Sequence, residues 1–174
     1  MNESPPFKHG LLKLANKLRK GIGFEKSGDV GDALTMVLTH VVTGAQTTAG
    51  HIPVSGCFEK NDAIIGAVFL CFVGSPAVIF LQQEGINLSI NDVIAKAGFA
   101  VFQFFDDKTA AEIISQGMDH YKAIIGTGKD RQNIREYSET VNQLVYLYAT
   151  SGDEQCIPIF SKLYTTLINA QEKT

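Results

Sequence analysis

Hydrophobic residues recur every three or four positions along most of this chain, which is the spacing that places them on one face of an α-helix. The first such stretch follows Ser4 and Pro5, a cap and a first-turn residue, and reaches Gly21 and Gly23. Its apolar stripe comprises Phe7, Leu11, Leu14, Leu18 and Ile22. A second stripe comprises Leu34, Val37, Leu38, Val41 and Val42. The pattern predicts two helices, the second ending at Gly44.

The same periodicity predicts four further helices in the second half of the chain. "SIND" and "TAAE" resemble capping boxes and predict helices over 90–105 and 109–125. Residues 131–149 carry a helical stripe, and a last helix spans Ile157 to Ile168. Because only "TSGD" separates these last two, we expect them to be antiparallel neighbours.

One run, residues 63–83, contains no charge. Its 21 residues would span roughly 31 Å as a helix, which matches a bilayer core. Ser75 precedes Pro76, however, and a residue before proline is pushed out of the helical region. We therefore predict a buried pair of helices, 63–73 and 76–83. A membrane span remains one alternative, and a buried β-hairpin is another because the run is rich in β-branched residues.

Residues 44–61 show no period and predict a long internal loop. The whole chain, residues 1–174, is predicted to form a single compact, mainly α domain of about seven or eight helices. Residues 63–83 and 90–105 are expected near its centre. The alternative fold is α+β, with a short hairpin at 63–83.

Composition places the chain among globular proteins, since 45% of its 174 residues are hydrophobic and 19% are charged. The net charge of −3 argues against nucleic-acid binding. Three widely spaced cysteines form neither a disulfide framework nor a zinc pattern, and no secretory signal is present. These features predict a cytoplasmic protein, with membrane association as the alternative.

Few residues carry a chemical signature. "IIGTGKDR" lacks the first glycine and the hydroxyl residue of a phosphate-binding loop, and no histidine pairs with another at helical spacing. We therefore predict no metal and no cofactor. Cys57 and His51 share the 44–61 loop. They are weak candidates for a catalytic pair in which Cys57 is the nucleophile and His51 is its base. An enzyme is the less favoured interpretation.

Two surfaces stand out instead. Residues 1–22 carry a charge of +4 and the remainder −7, so Lys13, Lys17 and Lys20 form a basic face that could meet an anionic surface. Phe99 and Phe102 fall opposite the apolar stripe of the 90–105 helix and are candidates for partner binding, with Lys96 and Gln103 at the rim.

The favoured function is therefore a small soluble domain that binds another protein or itself, without catalytic activity. A peripheral membrane or lipid-binding protein that uses the basic N-terminal helix is the first alternative. An enzyme built on His51 and Cys57 is the second.

Overall fold

The computed structural model describes residues 5–22, 29–51, 60–126 and 131–172. These ranges contain seven helices and no strand, in one compact domain, so the predicted all-α fold is confirmed and the alternative hairpin at 63–83 is wrong. The helices are α1 (Pro6–Ile22), α2 (Val30–Thr48), α3 (Lys60–Gln83), α4 (Ile90–Val101), α5 (Asp107–Gly126), α6 (Arg131–Ser151) and α7 (Cys156–Glu172).

Helix α3 is the centre of the fold, because it contacts each of the other six helices. Most of its side chains between Ala63 and Val78 are buried. In the described ranges this is also the single helix, Asp62–Gln83, that is long and apolar enough to cross a membrane, with 78% of its most apolar window buried inside the fold. The expectation that residues 63–83 lie at the centre is confirmed.

The predicted break at Ser75 and Pro76 is wrong, because α3 continues through both residues. A proline inside a helix removes one backbone hydrogen bond, at a cost of about 3 kcal/mol. Pro76 is itself buried, and the Ser75 side chain lies close to the Tyr121 hydroxyl on α5. Packing on all sides outweighs the local preference that the sequence expresses.

The predicted stop of α2 at Gly44 is also wrong, because α2 runs on to Thr48. A Cβ atom at Gly44 would lie 3.2 Å from Cγ2 of Ile157, so this glycine lets α7 approach rather than ending a helix. The connection between α2 and α3 is therefore shorter than the predicted loop of residues 44–61, because α2 ends at Thr48 and α3 begins at Lys60. Of the residues between these two helices, the structure describes Ala49 to His51.

Glycines also set the closest helix crossings. Gly117 on α5 packs directly against Ala67 on α3, and a Cβ atom at Gly117 would clash with the Ala67 methyl group. Gly10 on α1 packs against the backbone of α6, where a Cβ atom would lie 2.8 Å from the Cα atom of Thr150. Small residues at these two points bring helix backbones together without strain.

Helices α6 and α7 are antiparallel neighbours, as predicted. Tyr137, in the first half of α6, donates a hydrogen bond of 2.7 Å to the carbonyl of Leu163, in the middle of α7. Tyr148, near the end of α6, lies edge-on to Phe160, early in α7, with 6.0 Å between ring centroids. Gly152 has a φ of 66° and provides the left-handed residue that ends α6.

Candidate functional site

A groove lies between the first turns of α2 and the exposed side of α4. Gly85, with a φ of 85°, ends α3, and the Ile86 N–H donates to the Leu81 carbonyl across this turn at 2.9 Å. The turn sends the chain back so that α4 packs on α2 and α3. Asp29 caps α2 and Ser89 caps α4, each by accepting a backbone N–H from the third residue beyond it.

The groove has a volume of about 530 Å³, which is in the range that holds a small ligand or a few side chains. Its apolar surface comes from Leu88, Val93 and Phe99, and its polar surface includes Thr35 and Asn87. The full lining comprises Gly31, Thr35, Asn87, Leu88, Ser89, Asp92, Val93, Ala95, Lys96 and Phe99.

The two phenylalanines predicted to bind a partner lie in different environments. Phe99 lines the groove and is 42% exposed. Phe102 is 1% exposed, so its predicted exposure is wrong. The prediction extended α4 to residue 105, but the helix ends at Val101 and Phe102 is its C-cap residue, with φ −100° and ψ 29°. Because the backbone of Phe102 is not helical, its ring does not lie on the helix face that the period predicts. It packs close to Gly66 on α3 instead.

A second exposed ring follows, Phe104, which a helix continued to residue 105 would have placed on the apolar stripe. Phe104 is 56% exposed and is absent from the groove lining. It lies in the turn after α4, where the helical period no longer applies. The predicted rim residue Gln103 is exposed in the same turn, whereas Lys96 lines the groove itself.

Asp92 and Lys96 are one helical turn apart on α4, and both side chains line the groove. This i, i+4 spacing often forms an ion pair within a helix. Here the two charges form no ion pair with each other or with any other described residue. The groove therefore presents one cation and one carboxylate to whatever approaches it.

His51 lies beside a buried polar cluster at the junction of α2, α3 and α7. Its ring meets Tyr164 edge-on, with 5.7 Å between centroids, and its backbone N–H donates to the Gln46 carbonyl at 2.8 Å. Burial raises the pKa of Tyr164 to about 12, while the neighbouring Gln46 side chain acts in the opposite direction. Gln46 Nε2 and the Tyr164 hydroxyl are both buried without a hydrogen-bond partner among the described residues.

Cys57, the proposed nucleophile, lies outside the described residues. Cys71 and Cys156 are both buried. Burial raises the pKa of Cys71 to about 12, and it also raises the pKa of Cys156 above the ordinary value for a thiol. In the ranges that the structure covers, no cluster of three or more His, Cys, Asp or Glu side chains is arranged to hold a metal ion.

The predicted basic face is present on α1. Lys13, Lys17 and Lys20 are exposed, while Phe7, Leu11 and Leu14 on the opposite side are buried in the core. None of the three lysines forms an ion pair with a described residue. Arg19, which also contributes to the charge of this segment, is instead buried.

No family model, curated protein sequence or solved structure matches this chain. The function assigned to the groove therefore rests on the geometry of its residues. Sequence reasoning found Phe99 and Lys96, but it missed Leu88 and Asp92, because residues from α2, a turn and α4 form the groove only after folding. The one local signal was the "SIND" cap, which fixes where α4 begins.

Proposed function

We propose that this chain is a protein-binding helical domain whose groove between α2 and α4 receives an apolar segment of a partner protein. The observation that carries the proposal is the exposed ring of Phe99 in the wall of the groove. Aromatic side chains dominate the binding energy of many interfaces, since a single ring buries a large apolar area at little entropic cost.

The surroundings of Phe99 support the same function. Leu88 extends the apolar surface of Phe99 along the groove, while Asp92 and Lys96 supply charge beside it. An apolar centre with polar groups around it is the usual anatomy of a protein interface. A segment with one or two large apolar side chains and at least one charged neighbour would fit this pattern.

A random displayed-peptide library, selected on the wild-type protein, tests the proposal. Phe99→Ser should abolish binding of the enriched peptides, whereas Phe104→Ser should retain it. Phe104 is the matched control, because its ring is also exposed but lies outside the groove. Enriched peptides that bind both variants equally, or a failure to enrich apolar peptides, would contradict the proposal.

The lysine face of α1 favours a second candidate function, attachment to an anionic membrane surface. Its three exposed lysines are free of ion pairs with described residues, and each could contribute about 1 kcal/mol near an anionic bilayer. The buried apolar side of α1 argues for purely electrostatic contact. Sedimentation with vesicles of phosphatidylserine and phosphatidylcholine tests this function, with phosphatidylcholine alone as control, and replacement of the three lysines by glutamine should abolish any salt-sensitive binding.

A further inference from the structure

We propose that the segment received by the groove is the same groove of a second copy of this chain, related by a two-fold axis. This inference rests on the proposed function and names the partner of that site. A two-fold interface uses one patch on both subunits, so the patch must be complementary to itself. The α4 groove contains both a projecting aromatic ring and a concave surface that could receive such a ring.

The positions of the groove residues along α4 fit this symmetry. Two copies of a helix that cross antiparallel bring residue i opposite residue j, with i and j equally distant from the crossing point. Around position 94, Asp92 faces Lys96. The ring of Phe99 is then opposite Ser89, at the groove end that Leu88 lines. Every residue in these pairs lines the groove.

The charges of α4 fit the same arrangement. Asp92 and Lys96 do not pair within their own helix or with another described residue. Across the two-fold axis, Asp92 of each copy would meet Lys96 of the other, so two reciprocal ion pairs form. The patch has no net charge from these two residues, so two identical patches do not repel through them, and the reciprocal placement of opposite charges is attractive.

The small side chain of Ala95 allows the two α4 helices to approach closely at the crossing. One Phe99 ring would lie on each side of this crossing, where the other copy covers it. A contact made by one helix and a short turn is small compared with the ~1,200–2,000 Å² of a standard stable interface. We therefore expect a reversible dimer whose population depends on protein concentration, not a permanent one.

Sedimentation velocity over a wide concentration range is the direct test. The wild type should show a monomer–dimer equilibrium, and Phe99→Ser should shift it to monomer, while Phe104→Ser should not. Asp92→Lys and Lys96→Glu should each raise the dimer dissociation constant by about tenfold or more, because each places like charges opposite one another twice.

Charge reversal separates a two-fold dimer from any other assembly. The double variant D92K/K96E should regain the dimer, since both ion pairs return with their signs exchanged. An equimolar mixture of D92K and K96E should form a heterodimer although each variant alone is monomeric. Because Asp92→Lys places a cation in the first turn of α4, the melting temperature of every variant is measured alongside, and the mixing experiment supplies a result that a folding defect could not produce.

A wild type that stays monomeric at the highest concentration, or a dimer unaffected by both charge variants, would overturn the two-fold proposal. The peptide selection distinguishes this failure from failure of the groove itself. If the wild type is monomeric but its enriched peptides still require Phe99, the groove binds another protein. If neither result depends on Phe99, the groove is not the binding surface.

Discussion

The carboxylate of Glu84 caps α1, although Phe7 in the first turn of that helix lies 77 residues earlier in the chain. Its two oxygens accept hydrogen bonds from the backbone N–H groups of Phe7, at 2.9 Å, and Lys8, at 2.8 Å. These groups belong to the first turn of α1, which has no partner for them within its own helix. A negative charge at this end of a helix also interacts favourably with the helix dipole. Glu84 thereby ties the end of α3 to the start of α1.

Replacement of Glu84 by glutamine should lower the free energy of unfolding by about 0.5–1.5 kcal/mol, because the amide keeps one acceptor but loses the charge. Urea unfolding measures the change. Glu139→Gln is the control: Glu139 forms an exposed ion pair with Arg135 at 3.4 Å, and its loss should cost less than about 0.5 kcal/mol. Equal effects of the two variants would show that Glu84 is not a cap in solution.

Two glycines of α5 should respond in opposite ways to the same substitution. Gly117→Ala forces a methyl group against Ala67 and should destabilise the fold by about 1–3 kcal/mol through overpacking. Gly126→Ala adds a methyl group within 4 Å of no other part of the described fold and should be neutral or stabilising by up to about 1 kcal/mol. Thermal unfolding of both variants tests whether the α3–α5 crossing is as close as described.

Tyr137 and Tyr148, both on α6, differ in whether the hydroxyl has a partner. Tyr137→Phe removes the hydrogen bond to Leu163 and should cost about 0.5–1.5 kcal/mol. Tyr148→Phe removes a buried hydroxyl that has no partner among the described residues, and it should leave stability unchanged or increase it by about 1 kcal/mol. A large loss of stability in Tyr148→Phe would reveal a partner for its hydroxyl and contradict this prediction.

His40 should make stability depend on pH. Burial lowers its pKa below the ordinary value of 6.5, with the negative charge of Glu154 acting in the opposite direction. The unfolded chain therefore binds the His40 proton more tightly than the folded protein does, and stability is lost as the pH falls through about 6.5. Unfolding measured between about pH 5 and pH 7.5 should show this slope in the wild type and a smaller one in His40→Gln. Identical slopes would remove His40 as the cause.

Thiol reactivity tests the enzymatic alternative. Cys71 and Cys156 are buried with raised pKa values, so iodoacetamide should leave both unmodified in the native protein near neutral pH. Mass spectrometry then reports on Cys57 alone. Rapid labelling of Cys57 that slows in His51→Ala would support a nucleophile–base pair. Labelling at the rate of a free thiol in both proteins would count against one.

The helices were predictable where local patterns and packing agree. The stripe of α1 and the antiparallel α6–α7 pair follow from apolar residues three and four positions apart. The errors at Gly44 and Pro76 share one cause, because each residue favours a helix end locally and is kept inside a helix by tertiary contacts. Phe102 shows the reverse case. Helix α4 ends four residues before its predicted boundary, and the ring that was expected to be exposed is buried.

Most of the candidate site was hidden from the sequence for a different reason. An exposed aromatic such as Phe99 can be found from one helix, since its angle to the apolar stripe is fixed by the helical period. Leu88 lies in a turn without a period. Its distance from Thr35 on α2 depends on how α4 folds back after Gly85.

The central position of α3 has a consequence for synthesis. This helix leaves the ribosome before α4, α5, α6 and α7, the four helices that cover most of its surface, have been made. At about 5–20 residues per second, the chain needs roughly 5 to 20 s more to complete them. During that time α1 and α2 are the first helices available to cover α3, and the nascent protein carries an incompletely covered apolar helix that is long enough to engage chaperones or the membrane-insertion machinery. The stage at which the chain is most exposed to misrouting and aggregation is thus set by the order of its helices.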